Sequence, residues 1–238
     1  MDVIGDLVAR DRRSDALAVR RDTRAGSYSY EKLCTNAWKT GNILRHYGVR
    51  RGATVAIVGD DPLSPPPLLA FLGAALLGAT ARFDPPAADP VEAEALVVPT
   101  ARLERYDPAP GSTAFGYGDA PSDPTVAHFE GEVWSENPAV PPAEVGPGDA
   151  ALAARDKTYT HADLLERARA VAVEFDLDEG DAVALRAPLS HPGTVAAGVL
   201  APLVAGATIL LDRSATGTVG VSTDGGPEER IVDPAGVL

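Results

Sequence analysis

Apolar positions along the chain gather into short runs punctuated by glycine and proline, and the runs come in an order that occurs twice. From Ser29 the order is a helix over Tyr30 to Tyr47, the segment Gly48-Val-Arg-Arg-Gly52, and an apolar strand from Thr54 to Val58. A second helix, Pro67 to Leu77, ends at Gly78, and a strand from Thr80 to Phe83 is closed by Asp84-Pro85-Pro86, whose prolines cannot continue a ladder. From Thr160 the order returns. A helix carries Leu164, Leu165, Ala168, Val171, Ala172 and Phe175 on one stripe, with Thr160 and Asp163 spaced as a capping box. Leu177-Asp-Glu-Gly180, a strand from Ala182 to Ala187, a helix from Thr194 to Val204, Gly206 and a strand from Thr208 to Leu211 follow.

The interval from Gly52 to Gly180 equals the interval from Gly78 to Gly206, so the two units are an internal duplication. Strand, helix and strand with short connections predict right-handed crossovers in parallel sheets. Runs such as Thr208-Ile-Leu-Leu211 do not alternate, which predicts strands covered on both faces. The expected fold class is α/β, two pseudo-repeated lobes with largely parallel sheets flanked by helices. The expected division is a first lobe over 1–100, a Pro- and Gly-rich connector with short strands over 101–148, and a second lobe over 149–238. In the tail, Thr218 to Val221 and Arg230 to Val232 flank the turn Asp224-Gly-Gly226 and predict a terminal hairpin.

A chain of 238 residues that is 45% hydrophobic can bury a sizeable core. Its formal net charge of −13, with Lys only at positions 32, 39 and 157, repels nucleic acid and anionic lipid. Acidic residues spread over the whole chain suit a salt-rich cytoplasm, where ionic strength screens self-repulsion. Cys34 is the one cysteine and the four histidines have no metal-ligand spacing, so neither a disulfide, a metal nor a cofactor is expected. Met1 to Arg13 lacks the apolar core of a signal peptide, and the uncharged stretches Leu68 to Ala81 and Gly193 to Leu211 are read as buried units, not membrane spans. A cytoplasmic protein is expected.

Ser29-Tyr-Glu31 with Leu33, Gly48-Val49, Gly52, Val55-Ala-Ile57 and Gly73 to Gly78 resemble the opening of the AMP-forming acyl-CoA synthetases. Thr160-His161, Leu164, Gly180-Asp181 and Pro188-Leu-Ser-His191 are similar to a later segment of the same family, so the resemblance covers residues 10 to 212. It implies two related α/β subdomains and an adenylate, CoA or acyl ligand. The family places a Ser/Thr- and Gly-rich loop ending in Pro-Lys-Gly before the Thr-His position, where amides and hydroxyls hold the ATP phosphates. Here that place reads Asp149-Ala-Ala-Leu-Ala-Ala-Arg-Asp-Lys-Thr-Tyr-Thr-His161, with no glycine between Gly148 and Gly180. Without glycine the positive-φ turns that aim amides at one anion are disfavoured. The chain also ends before the positions of the family's Mg²⁺-binding acid, ribose-binding aspartate and C-terminal lysine. A non-catalytic interaction or regulatory subunit is expected, with the acyl-binding half of a split synthetase, or a binder of an adenylate, CoA or acyl group, as alternatives.

Individual residues carry two readings each. His191 corresponds to the histidine bordering the family's acyl and adenylate pocket, although Ser190 replaces the aromatic before it; it is either a pocket residue or a loop and capping histidine. His161 matches the Thr-His at the helix head, where a structural role is the default. Lys157 is either the residue of the lost loop or a solvated surface lysine. Trp38, Tyr47 and Trp134 are core or subunit-contact aromatics, which leaves a homo-oligomer or a protein partner as an expectation. Cys34 has no base partner, and Gly111 to Gly118 neither follows a strand nor opens a helix.

Overall fold

The computed structural model describes residues 1–21, 26–60, 63–87, 90–155 and 157–238. Polar Ser29 caps a long helix because its side chain accepts from the Lys32 amide, one of the donors a helix start leaves unsatisfied. The first repeat then runs as strand β1 (Leu17–Arg20), β2 (Tyr28–Ser29), helix α1 (Tyr30–His46), β3 (Thr54–Ile57), α2 (Pro65–Ala75) and β4 (Thr80–Phe83). Helix α2 starts two residues before the expected Pro67, since prolines cost nothing in a first turn whose amides have no acceptor. The segment that follows holds β5 (Ala95–Pro99), β6 (Thr113–Tyr117), β7 (Ala127–His128) and α3 (Phe129–Ser135).

The second repeat runs β8 (Ala150–Ala154), β9 (Lys157–Thr160), α4 (His161–Glu174), β10 (Ala182–Leu185), α5 (Pro192–Thr194), α6 (Ala201–Ala205) and β11 (Thr208–Leu210), and β12 (Val219–Val221) and β13 (Arg230–Val232) close the chain. Between α5 and α6 the helix widens into a π segment, Val195–Leu200. Pro202 has no amide and its ring crowds the carbonyl four residues back, at Gly198, which the wider turn relieves.

Among the described residues the strands form a seven-stranded sheet in the order β7-β6-β5-β3-β4-β8-β9 and a six-stranded sheet in the order β13-β12-β10-β11-β1-β2. All neighbours are parallel except β1 with β2 and β8 with β9. Each opening hairpin is exchanged between the copies. Strand β1 of the first repeat pairs with β11 of the second, and β8 of the second pairs with β4 of the first. Sheet membership therefore crosses the expected boundaries at 100/101 and 148/149. The expected connector supplies β6 to the interior of the seven-stranded sheet, beside β5 of the expected first lobe, and Val133-Trp134 lies in α3. Gly111 to Gly118, read from sequence as neither following a strand nor opening a helix, contains β6; Gly116 lets it approach Thr100, whose Oγ1 would stand 2.6 Å from an added Cβ.

The expected terminal hairpin is corrected. Strands β12 and β13 pair in parallel, because eight residues, too many for a tight turn, carry the chain back to the start of the sheet. One continuous core joins Ile4, Leu7 and Val8 to the helices and inner strand faces of both repeats, while Ala56, Val58, Leu96 and Val98 bury the other face of β3 and β5. That second cluster explains the lack of alternation along β3. No helix, among the described residues, is long and apolar enough to cross a membrane.

Candidate functional site

The stretch that the sequence resemblance sets at the phosphate loop folds as the β8–β9 hairpin. Ala154 pairs with Lys157, so two residues make the whole connection. Arg155 supplies a positive φ of 48°, and Asp156 lies outside the described residues. Strand β9 forms a sheet edge, and along an extended edge only alternate amides face outward, so they do not converge on one anion. Lys157 is exposed, and its Nζ stands 4.4 Å from the centre of the Tyr159 ring.

His161 heads α4 behind a complete capping box. Thr160 Oγ1 accepts the Asp163 amide at 3.1 Å, and Asp163 Oδ2 accepts the Thr160 amide at 2.9 Å. The imidazole is fully buried, and its Nδ1 accepts the Ile4 amide at 3.1 Å, which assigns the hydrogen to Nε2. Nε2 is buried without a partner. Burial pushes the pKa down to about 4 against the upward pull of Asp149 and Asp6. The ring is thus a neutral acceptor that fixes the N-terminal turn, whose Val8 carbonyl also accepts the Trp38 Nε1–H at 2.7 Å.

Ser190 is exposed, and His191 stands at the N-cap of α5 with no side-chain cap bond. His191 Nδ1 is buried without a hydrogen bond. The structure does not gather Lys157, His161, Ser190 and His191 at one place: the first lies on β9, the second under the N-terminal turn, and the last two beyond β10.

The carboxyl ends of β3, β4, β10 and β11 instead meet around a cleft of about 300 Å³. Crevices outside the carboxyl ends of parallel strands are where α/β folds take ligands. Asp84 and Arg102 build one side, Asp84 Oδ1 accepting the Gly59 amide at 2.9 Å and Arg102 Nη1 donating to the Gly59 carbonyl at 2.7 Å. Arg186, directly after β10, builds the other. It donates to the Arg213 carbonyl at 2.8 Å and the Ala215 carbonyl at 2.6 Å, and pairs with Glu228, whose side chain is fully buried. Burial pushes the Glu228 carboxyl up, but Arg186 and the Gly217 amide outweigh it and hold it below the usual carboxylate range.

Leu63, Leu189 and Leu211 give the cleft apolar walls, and no serine, histidine or cysteine is among its described lining residues. It can hold a molecule and orient it by charge, and its described lining carries carboxylates and guanidiniums but no hydroxyl, thiol or imidazole. Tyr117 beside it donates to the Val58 carbonyl at 2.8 Å, and burial together with Asp60 pushes its hydroxyl pKa up. Among the described residues no group of three His, Cys, Asp or Glu could hold a metal ion. Asp84, Arg102, Arg186 and Glu228 escaped sequence reasoning. The one available signal was Arg186, a charge at the end of an apolar strand where the first repeat has Val58.

No family model matches the sequence. No curated protein matches it either. Solved structures do. An anthranilate CoA ligase in complex with anthranoyl-AMP superposes with a TM-score of 0.78 at 18% identity, over 92% of this chain and 49% of that one. A benzoate CoA ligase from Burkholderia xenovorans gives 0.76 at 22% identity, over 93% and 50%. The N-terminal domain of FACL13 from Mycobacterium tuberculosis gives 0.74 at 17%, over 93% and 63%. The chain thus spans about half the length of the first two and has the fold of the N-terminal part of acyl- and aryl-CoA ligases. At these identities the likeness establishes the fold.

Proposed function

We propose that this chain is a non-catalytic member of the AMP-forming ligase fold, serving as a binding or regulatory subunit rather than forming adenylates. One observation carries the reading: the strands that would flank a phosphate loop are joined by two residues without glycine. Phosphoryl chemistry on ATP needs the triphosphate held and its developing charge compensated. The described residues of the hairpin provide no converging amides, and Lys157 Nζ lies over the Tyr159 ring at the strand edge.

Retention of the cleft favours a second reading, a binder of an adenylate, CoA or acyl ligand, with apolar walls for the acyl part and with Ser190 and His191 directly following its lining residue Leu189 in the chain. Trp134, 84% exposed, supports a contact with a second copy or another protein. The charge of −13 supports a salt-rich cytoplasm as its setting.

Pyrophosphate release from ATP and Mg²⁺ with a panel of carboxylic acids tests the first reading, and turnover by the pure chain would overturn it. The second is read by thermal shift. A ligand at 100 times its Kd adds about 2.7 kcal/mol of stability; no shift with adenylate, CoA or acyl ligands removes it.

A further inference from the structure

The seven-stranded sheet reverses its order once. From β3 the chain goes to β4 on one side, and β5 lies on the other, so the connections leaving β3 and β5 diverge and open a crevice at their carboxyl ends. A cavity of about 340 Å³ occupies that crevice. Its walls include Asp60 after β3, Ser64 before α2, Thr100 after β5, Tyr117 and Asp119 at the end of β6, and Glu130 on α3.

Three buried oxygens on these residues lack a hydrogen bond: Ser64 Oγ, Thr100 Oγ1 and Glu130 Oε2. Buried polar groups are satisfied in the great majority of cases, so three around one cavity call for a reason. For Ser64, 6% exposed, the reason is local. It is the N-cap of α2, but Pro66 and Pro67 replace the amides such a side chain would accept. Glu130 is held in place by the Gly118 amide, 2.9 Å from Oε1, while His128 Nε2 stands 3.4 Å from Oε2 without hydrogen-bond geometry. Asp60 is held by the Ser64 amide at 2.8 Å.

Charge selects the ligand. Asp60, Asp119 and Glu130 face the cavity from three elements, and a helix start made of three prolines offers an anion no amides. Arg21, also on the wall, has a further interaction of its own. Among the described residues no three acidic or imidazole groups stand together as metal ligands, so the cation that suits this wall is a molecule with an apolar body. We propose that this cavity is a binding site for a small organic amine, with its ammonium group toward Glu130 and Asp60 and its apolar body against Tyr117, Pro65 and Pro99. The site stands apart from the cleft that the functional reading uses, sharing only Asp60 with it.

Calorimetric titration of the whole chain at low salt with tyramine, ethanolamine and, as an anionic contrast, benzoate tests this. Saturable 1:1 binding of an amine is expected, with no heat from benzoate and at least a tenfold weaker Kd in Glu130→Gln, which keeps an acceptor for the Gly118 amide. Asp119→Asn, at an exposed position, gives a second reading should Glu130→Gln fail to fold, and is also expected to weaken binding. Absence of saturation by both amines, equal affinity in both variants, or benzoate binding as tightly as tyramine would overturn the assignment. So would uptake of many amines per chain, which marks condensation on the acidic surface.

Discussion

Val58 and Arg186 hold the same station in the two repeats, and each amide donates to the neighbouring strand, Val58 to the Val97 carbonyl at 2.8 Å and Arg186 to the Val221 carbonyl at 2.9 Å. The backbones agree and the side chains do not. In the six-stranded sheet the crevice is filled by the Arg186–Glu228 pair, with Gly220 and Gly226 so close that an added Cβ would stand 2.7 and 2.6 Å from Glu228 Oε2. In the seven-stranded sheet the equivalent crevice is open and rimmed by unpartnered oxygens. Duplication fixes where strands and helices go, because that follows from apolar periodicity and helix ends. What a crevice does depends on single side chains that the periodicity leaves unspecified.

Breaking the filled crevice should have the largest effect. Arg186→Met leaves the Glu228 carboxylate buried without its partner, and such losses cost about 3–5 kcal/mol. Urea unfolding should show a fall in midpoint of that order, whereas Arg186→Met with Glu228→Met should recover much of it, because two apolar groups leave no orphaned charge. The sign with pH is set by the depressed Glu228 pKa. Its contribution is present above the ordinary carboxylate pKa, about 4.3, and is lost as pH falls through the lower folded value. A single variant as stable as the wild type would show that the pair is not the element closing this crevice.

The next difference lies at the helix heads. Tyr30 heads α1 and His161 heads α4, and both are buried, but the histidine must stay neutral. Its pKa falls from an ordinary value of about 6.5 to about 4, so unfolded chains bind a proton that folded ones refuse. Stability is full above pH 6.5 and declines as pH drops toward 4, by roughly 2–3 kcal/mol. His161→Leu should flatten that window while lowering stability at pH 7, because the Ile4 amide loses its acceptor. An unchanged slope in the urea midpoint between pH 6.5 and 4 would reassign the titration to other groups.

The sequence made the α/β class and both repeats legible, since Gly52, Gly78, Gly180 and Gly206 and the apolar stripe of α4 are local signals. It concealed the exchange of β1 and β8 between the copies, because strand partners are chosen by packing across the whole molecule and not by neighbours in the chain. It concealed β6, whose Thr-Ala-Phe-Gly-Tyr run is ordinary until Thr100 is seen against Gly116. The hairpin at 154–157 was half legible. The missing glycines were plain, but the two-residue closure needed the pairing of Ala154 with Lys157. The cleft and the cavity were hardly legible, with Arg186 as the one signal, as Asp60, Asp84, Arg102, Glu130 and Arg186 come from separate elements.

The close contacts of one helical glycine in each repeat give a smaller, reciprocal test. Gly73 in α2 corresponds to Ala201, and Gly198 in the second repeat corresponds to Ala70. A Cβ at Gly73 would stand 2.7 Å from Thr40 Cγ2 and 3.0 Å from the Gly41 nitrogen, and one at Gly198 would run into Leu185 Cδ2. Gly73→Ala and Gly198→Ala should each cost about 1–3 kcal/mol from overpacking, although each installs the residue its twin already has. Gly73→Ala should cost more, because backbone yields less than the end of a leucine. Equal stability of both variants with the wild type in urea would mean that glycine and alanine are interchangeable at the two contacts after all.

The smallest expected difference separates the two helix caps. Ser29 satisfies one amide, that of Lys32 at 3.2 Å. Thr160 and Asp163 satisfy each other's amides, and Asp163 also accepts the Thr160 hydroxyl at 2.8 Å, contacts that hold the Asp163 carboxyl below its ordinary pKa. Removing a cap of this kind costs about 0.5–2 kcal/mol. Ser29→Ala should fall near the lower end and Thr160→Ala near the upper, because the second change also strands the aspartate that the hydroxyl faces. Hydrogen exchange separates the effects spatially: faster exchange at Lys32 in one variant and at Asp163 in the other. A Thr160→Ala variant no less stable than Ser29→Ala would mean that Asp163, by accepting the Thr160 amide, holds the head of α4 without the hydroxyl.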